Sequence, residues 1–342
     1  MIQKKINSNN SGLFNTNSRF FFGKTAKQRM TYHELLYIWL DSGKTLWKES
    51  TYCKYRHIVE CHLLPETENV FLDEIDTEYI NQFLIKISSM GKGRDTPDLS
   101  PTYIRLIAFV IKTSLSFAAQ NHYCEPLSGE IRLPSKDRKH KHVLTIKEQR
   151  CLESALSPAT NEKDLGIFLS LYTGMRIGEV CGLQWNDIDY ENGMIHIRRT
   201  AERIINHNPE NGEKKTKLDL FDTKSLSSNR IIPVPSKIQS VLIDSDKSHT
   251  YLIRGRTHDY IDPRTLQYYF EKTLKKCGIR HVNFHALRHT FATRCMESGM
   301  DMKSLSELLG HANVNITLGI YVHSSLEHKR KQLEEMSKLF DD

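Results

Sequence analysis

Four groups of residues in the second half of this 342-residue chain have types and spacings suited to handling a phosphate. In Thr173-Gly-Met-Arg-Ile-Gly-Glu179, Arg176 and Glu179 stand three positions apart, so they share a face if the segment is helical. A glutamate that stiffens an inward arginine leaves a planar fork able to grip a phosphate. His285 and Arg288 have the same spacing in His285-Ala-Leu-Arg-His-Thr-Phe-Ala-Thr-Arg294. A histidine beside an arginine is electrostatically awkward unless an anion, such as phosphate, lies between them. Leu305-Ser-Glu-Leu-Leu-Gly-His311 reads as a helix stopped by Gly310, with His311 just past the stop. Ten residues further on, Thr317-Leu-Gly-Ile-Tyr-Val-His323 resumes a helix and carries Tyr321. Its hydroxyl, with a free pKa of roughly 10, is a weak nucleophile that needs nearby positive charge or a base. Taken singly these pieces read as a surface ion pair, polar residues on an exposed helix and a half-buried aromatic. Their order and spacing together point to one site.

The elements that must position these residues follow from local signals. Thr145 with Glu148 three residues on is a capping box that opens a domain, with helices through about Gln184. Met194–Arg198 alternates as a strand, and Leu218–Phe221 and Arg230–Val234 read as two more, joined by the turn Ser225–Asn229. After Pro263 the chain reads as helical to its end, where Leu333, Met336, Leu339 and Phe340 make an amphipathic pattern. The first third predicts a bundle of about four helices. Tyr32–Leu40 and Thr51–Leu63 give two apolar stripes; Asp76 caps a helix carrying Ile80, Phe83, Leu84 and Ile87; Ser100-Pro101 opens another with Ile104, Ile107, Ile111 and Leu115 on one face. The expected organisation is a basic, flexible tail over 1–28, a helical domain over 29–130, a basic linker over 131–142 and a second domain over 143–342. The tail is Asn/Ser-rich but interrupted by Phe20-Phe21-Phe22. The linker, with Arg138, Lys139 and Lys141, is either a solvated loop or a segment lying along phosphates.

Bulk properties fit such a chain. With 39% hydrophobic and 26% charged residues it can build globular cores. A net charge of +7 permits a polyanionic partner without demanding one. Seven cysteines, an odd number with no Cys-x-x-Cys, read as free thiols in a reducing compartment. No run approaches the roughly 20 apolar residues of a membrane span, and the N-terminus lacks the apolar core of a signal peptide. A cytoplasmic protein with no membrane partner is expected. A carboxylate cluster for Mg²⁺ and a glycine-rich phosphate loop are both missing, so no metal or nucleotide cofactor is expected.

The segments TGMRIGEVCGLQW, HALRHTFAT and LLGHANVNITLGIYVH resemble, in content, order and spacing, the two signature boxes of the tyrosine recombinase (phage integrase) family. The resemblance implies a mainly α fold with a small antiparallel β-sheet: a helical, SAM-like core-binding domain, then an α+β catalytic domain. It implies a further lysine on a β-hairpin between the boxes. Thr223-Lys-Ser-Leu-Ser-Ser-Asn-Arg-Ile-Ile-Pro233 is similar to the K-T-x-x-S-x-R-x-x-P form of integrases from conjugative transposons and phages, with Ser225 in place of threonine. Lys224 takes the lysine position, and Lys214, Lys215 and Lys217 compete for it. The implied roles are Tyr321 as nucleophile, Arg176, His285, Arg288 and His311 around the phosphate, Lys224 as general acid, and Glu179 supporting Arg176.

The implied activity is metal- and ATP-independent cleavage and rejoining of DNA, through a 3′-phosphotyrosyl intermediate and a Holliday junction. Four protomers would act on double-stranded DNA with specific sites, with directionality or DNA-bending factors as possible partners. The hairpin favours integration or excision of a mobile element. Alternatives are an Xer-like resolvase or invertase, a relaxing enzyme of the type IB topoisomerase kind, and a DNA-binding protein that has lost catalysis. The tail is short for an arm-binding domain. The C-terminal helix packs either on a neighbouring protomer, as in the family, or on its own domain.

Overall fold

The computed structural model describes residues 29–89, 98–135, 142–206, 216–222, 229–311, 313–315, 317, 330, 333–334 and 336–337. Tail residues 1–28 and the linker candidates Arg138, Lys139 and Lys141 lie outside the described residues.

The first third forms α1 (Tyr32–Leu46), α2 (Glu49–Ile58), α3 (Thr77–Ser88) and α4 (Pro101–Gln120). The local signals act as expected. The Asp76 carboxylate accepts from the Tyr79 amide to start α3, and the Ser100 hydroxyl accepts from Tyr103 ahead of Pro101 to start α4. Contacts divide the chain into two compact units, one within Met1–Ser42 and Val59–Pro134, the other within Gly43–Ile58 and Ser135–Asp342. Residues 43–58 thus group with the second unit. There α2 packs on a strand of the same unit, and Glu49 pairs with Lys217 at 2.9 Å.

In the first unit, Leu35 and Leu36 of α1, Ile80 and Ile87 of α3 and Ile107 and Ile111 of α4 are almost fully buried. The Tyr32 and Ser114 hydroxyls hydrogen-bond at 2.9 Å, so the buried polar atoms linking α1 to α4 are satisfied. By length and composition α4 is apolar enough to cross a membrane, which the sequence reading did not anticipate. Its Ile104, Ile107, Val110 and Ile111 are buried inside the unit, as in a core helix.

The second unit opens with α5 (Ile146–Ala155), where Thr145 and Glu148 form the expected reciprocal cap. Next come α6 (Glu162–Thr173) and the short α7 (Ile177–Cys181). Strands β1 (Ile188–Asp189), β2 (Met194–Ile197), β3 (Arg199–Ile205), β4 (Thr216–Asp222) and β5 (Arg230–Pro233) follow. Then come α8 (Ser236–Asp244), α9 (Pro263–Lys276), α10 (His285–Glu297) and α11 (Met302–Leu309).

The strands pair differently from the sequence reading. β4 runs antiparallel to β3, a strand that reading missed, and β5 runs antiparallel to β2, opposing Ile232 to Ile195. The described strands therefore make a three-stranded sheet β1-β2-β5 and a two-stranded sheet β3-β4. β3 lacks strict alternation, with only Ala201 and Ile204 buried, so no apolar face announced it. Helix α8, also unread, buries Ile238 and Leu242 at i, i+4 spacing. The core gathers α6, α9 and α10 with the first sheet, and Phe270 of α9 meets Phe284 edge-on at 5.4 Å.

Candidate active site

α6 ends at Gly174, which takes a left-handed conformation at φ +67° and donates its amide to Ser170 O. A side chain here would meet Phe291 at 2.5 Å and Leu309 at 2.8 Å, so glycine serves both backbone and packing. The Ser170 hydroxyl donates to Met175 O, which fixes the turn.

That turn delivers Arg176 in extended conformation at the N-cap of α7, not on the helix face that the i, i+3 spacing suggested. The pairing with Glu179 survives by another route. The Arg176 amide donates to Glu179 Oε2 at 2.8 Å and its Nη1 donates to Oε1 at 2.7 Å. Glu179 is 4% exposed, and Arg230 at the start of β5 grips the same carboxylate through Nη1 at 2.9 Å and Nη2 at 3.0 Å. Burial alone would raise the Glu179 pKa. The hydrogen bonds and charge of Arg230, with Arg176 adding to them, outweigh burial and hold it at about 2.

The second box forms α10. His285 is its first residue and is exposed, its ring edge-on to His289 with centroids 4.7 Å apart. Arg288, one turn on, is 2% exposed. Its Nη1 donates to Gly174 O at 2.8 Å and its Nη2 to Leu309 O at 2.6 Å.

The third motif forms α11, stopped by left-handed Gly310 as the sequence indicates, with the His311 amide donating back to Ser306 O. The last carbonyls of α11 collect guanidinium groups from three segments. Arg230 Nε donates to Leu308 O at 2.6 Å, Arg288 to Leu309 O, and Arg176 Nη2 to Gly310 O at 3.1 Å. Cations suit the negative end of a helix, and each bond satisfies a carbonyl lacking a partner within the helix.

His311 emerges from this knot half-buried, its Nδ1 2.7 Å from the Thr317 hydroxyl oxygen. Burial lowers its pKa first, and the charges of Arg288, Arg176, His285 and Arg230 lower it further, to about 4. Charges from Arg176, His285 and Arg288, spread with His311 over 136 positions of sequence (176 to 311 inclusive), thus act together on the His311 ring. Beside them, an open cleft of about 420 Å³ is lined by Arg176, Thr200, Glu202, Gln267 and His285, among others. The group can bind an anion, with two arginines fixed before it arrives and a histidine that stays neutral at ordinary pH.

Tyr321, Lys224, Lys214 and Lys215 lie outside the described residues. The remaining lysine competitor, Lys217, is on β4 and pairs with Glu49 and Asp219. Two contributors were not assigned from sequence. Arg230 was placed only as a motif offset, although Arg230, Ile232 and Val234 alternate on one buried face, a pattern that could have revealed it. Thr317, fully buried, had no local signal.

Comparison with known proteins bears on the family and the fold. Residues 142–328 match the Phage integrase family, and residues 31–88 match the phage integrase N-terminal SAM-like domain. A XerC-like tyrosine recombinase of Caldanaerobacter subterraneus subsp. tengcongensis is 26% identical over 337 residues, covering 92% of this chain and 84% of the relative. Tyrosine recombinase XerA of Thermococcus onnurineus is 31% identical over 262 residues, 74% of this chain and 79% of that one. Among solved structures, the Tn1549 transposon integrase in complex with a circular intermediate DNA superposes with TM-score 0.70 at 20% identity, covering 90% of this chain and 99% of that one. A lambda integrase tetramer bound to a Holliday junction superposes with TM-score 0.60 at 18% identity, covering 86% and 78%. The mainly α fold, with its SAM-like domain and a catalytic domain carrying small antiparallel sheets, is that of these proteins. The chain belongs to the phage integrase family and is a tyrosine site-specific recombinase.

Proposed function

We propose that this recombinase integrates or excises a mobile element, cutting and rejoining duplex DNA at specific sites with Tyr321 as nucleophile. The Tyr321 oxygen attacks the scissile phosphorus, forming a 3′-phosphotyrosyl bond and breaking the bond to the 5′ oxygen. His285 takes the tyrosine proton, and Lys224 gives a proton to the leaving 5′ oxygen. Arg176 and Arg288 hold the non-bridging oxygens as charge builds on the pentacoordinate phosphorus, and neutral His311 donates a hydrogen bond to one of them. Glu179 keeps Arg176 in place. Phosphate energy stays in the phosphotyrosine, so a freed 5′ hydroxyl can reverse the step on a second duplex without ATP. Four protomers on two duplexes carry this through a Holliday junction, the assembly in which lambda integrase has been seen.

The observation that carries the reading is the convergence of two preset arginines and a low-pKa histidine beside the cleft. The motif sequence Thr223–Pro233 around Lys224 supports a mobile element. The Xer-named relatives favour an Xer-like resolvase or invertase as the second reading.

The test begins with selection of bound duplexes from a random DNA pool, which are then nicked beside each candidate cut. A covalent adduct on a denaturing gel, formed in EDTA and absent in Tyr321→Phe, is expected. Binding without an adduct on any nicked duplex would overturn catalysis. Recombination between a circle and a linear target supports integration, whereas reaction confined to two sites on one circle fits excision or resolution.

A further inference from the structure

Arg230 is buried at the first position of β5, six residues after Lys224 in sequence (230 − 224), and faces Glu179 rather than the cleft. The Glu179 carboxylate accepts four hydrogen bonds, two from Arg230 and two from Arg176. That fills a carboxylate's capacity of about four. Arg176 therefore keeps only Nη1 and its amide on Glu179, while its Nη2 reaches Gly310 O and its side chain stays 35% exposed.

We propose that Arg230 is a positioning residue for DNA cleavage: by holding its half of Glu179 and the Leu308 carbonyl, it keeps Arg176 turned toward the phosphate. This rests on the reading of Arg176 as a phosphate ligand. Without Arg230, two acceptor positions on a buried anion open, and a guanidinium closes on a carboxylate fork to fork. Arg176 is the neighbour able to do so, and that pairing draws it away from Gly310 and the cleft. The charge balance changes as well. Arg176, Arg230 and Glu179 together carry +1, and loss of Arg230 leaves zero where an anion must bind. Arg230 touches no substrate in this scheme and acts only through Glu179 and the end of α11. Lysine in its place would keep the charge but not the fork.

The test uses the full chain and the nicked duplexes selected above, with single-turnover adduct rate, DNA affinity and melting temperature measured in parallel. Arg230→Met is expected to slow adduct formation at least about 30-fold while DNA affinity changes less than about threefold, because most affinity comes from other phosphates. Arg230→Lys should fall between. In Arg230→Met, Glu179→Gln removes the charge that captures Arg176 and should restore at least about tenfold of the rate. Ile232→Ala, on the same strand, controls for loosening of β5. It should not move the acid limb of the pH–rate profile, whereas Arg230→Met should, since the Arg230 charge acts on His311. An Arg230→Met rate within threefold of wild type would overturn the inference. So would a double variant no faster than Arg230→Met, or pH profiles alike in Arg230→Met and Ile232→Ala. Absence of any wild-type adduct would instead overturn the underlying recombinase reading, and this inference with it.

Discussion

His311 Nδ1 lies 2.7 Å from Oγ1 of Thr317, a fully buried residue six positions on. With a pKa of about 4 the imidazole is neutral near pH 7, so it carries one proton on one of two nitrogens. If it is to donate to phosphate through Nε2, the threonine hydroxyl must donate to Nδ1 and so select the tautomer. Thr317→Val keeps the shape and removes that donor. The expected result is a threefold to tenfold slower adduct formation, equivalent to about 1 kcal/mol, with DNA affinity retained. An unchanged single-turnover rate would mean that the tautomer is set elsewhere.

The Glu179 carboxylate links stability to pH. Its pKa of about 2 lies below the ordinary 4.5, so the unfolded chain binds a proton more readily. The stabilisation is full above about pH 4.5 and is lost as pH falls toward 2. Glu179→Gln removes this dependence, so its deficit in urea midpoint against wild type should be largest at pH 7 and shrink by pH 3. Glu179→Leu leaves the Arg230 charge buried without its carboxylate and should cost about 3–5 kcal/mol at pH 7. Equal deficits at both pH values would show that Glu179 is not a buried anion.

What could be read in the sequence was what neighbours along the chain decide. The caps at Asp76, Ser100 and Thr145 and the stop at Gly310 need only adjacent residues, and each formed as expected. The Arg176–Glu179 pair was identified, but its geometry was not. The left-handed turn at Gly174 moves Arg176 off the helix, and the contact becomes a cap. Choice of strand partner is non-local. Nothing along the chain said that β5 would leave β4 for β2, the pairing that brings Arg230 to Glu179. The buried face of β5 carried a signal, since an arginine alternating with Ile232 and Val234 must find an anion inside.

Gly174 provides a test of how tightly the arginines are held. Gly174→Ala places a methyl against Phe291 and Leu309 in a left-handed backbone, adding overpacking to strain. Gly278, at φ +65° with nothing within 4 Å of an added Cβ, supplies the control with backbone strain alone. Gly174→Ala should lower the melting temperature by roughly 5 °C or more, and Gly278→Ala by clearly less. Gly174 O also receives Arg288, so Gly174→Ala should slow cleavage even where the protein is fully folded. Equal effects of the two substitutions on melting and cleavage would refute the packing argument.

The linker prediction separates phosphate grip from catalysis. Arg138, Lys139 and Lys141 fall between the two matched regions, 31–88 and 142–328, where a chain joining two DNA-binding domains would run beside the duplex. Each phosphate they neutralise releases condensed counterions, so the slope of log affinity against log salt changes by about 0.9 per contact. Replacing all three with alanine should flatten that slope by up to about 2.7 and weaken binding most at low salt, to a similar degree on specific and random duplexes. The adduct rate on saturated DNA should stay near wild type, because Arg176 and Arg288 are held by Gly174, Glu179 and the end of α11 rather than by the linker. If the slope is unchanged, the linker is a solvated loop. If the saturated rate falls while the slope holds, the linker acts on the catalytic step, and its basic residues require another explanation.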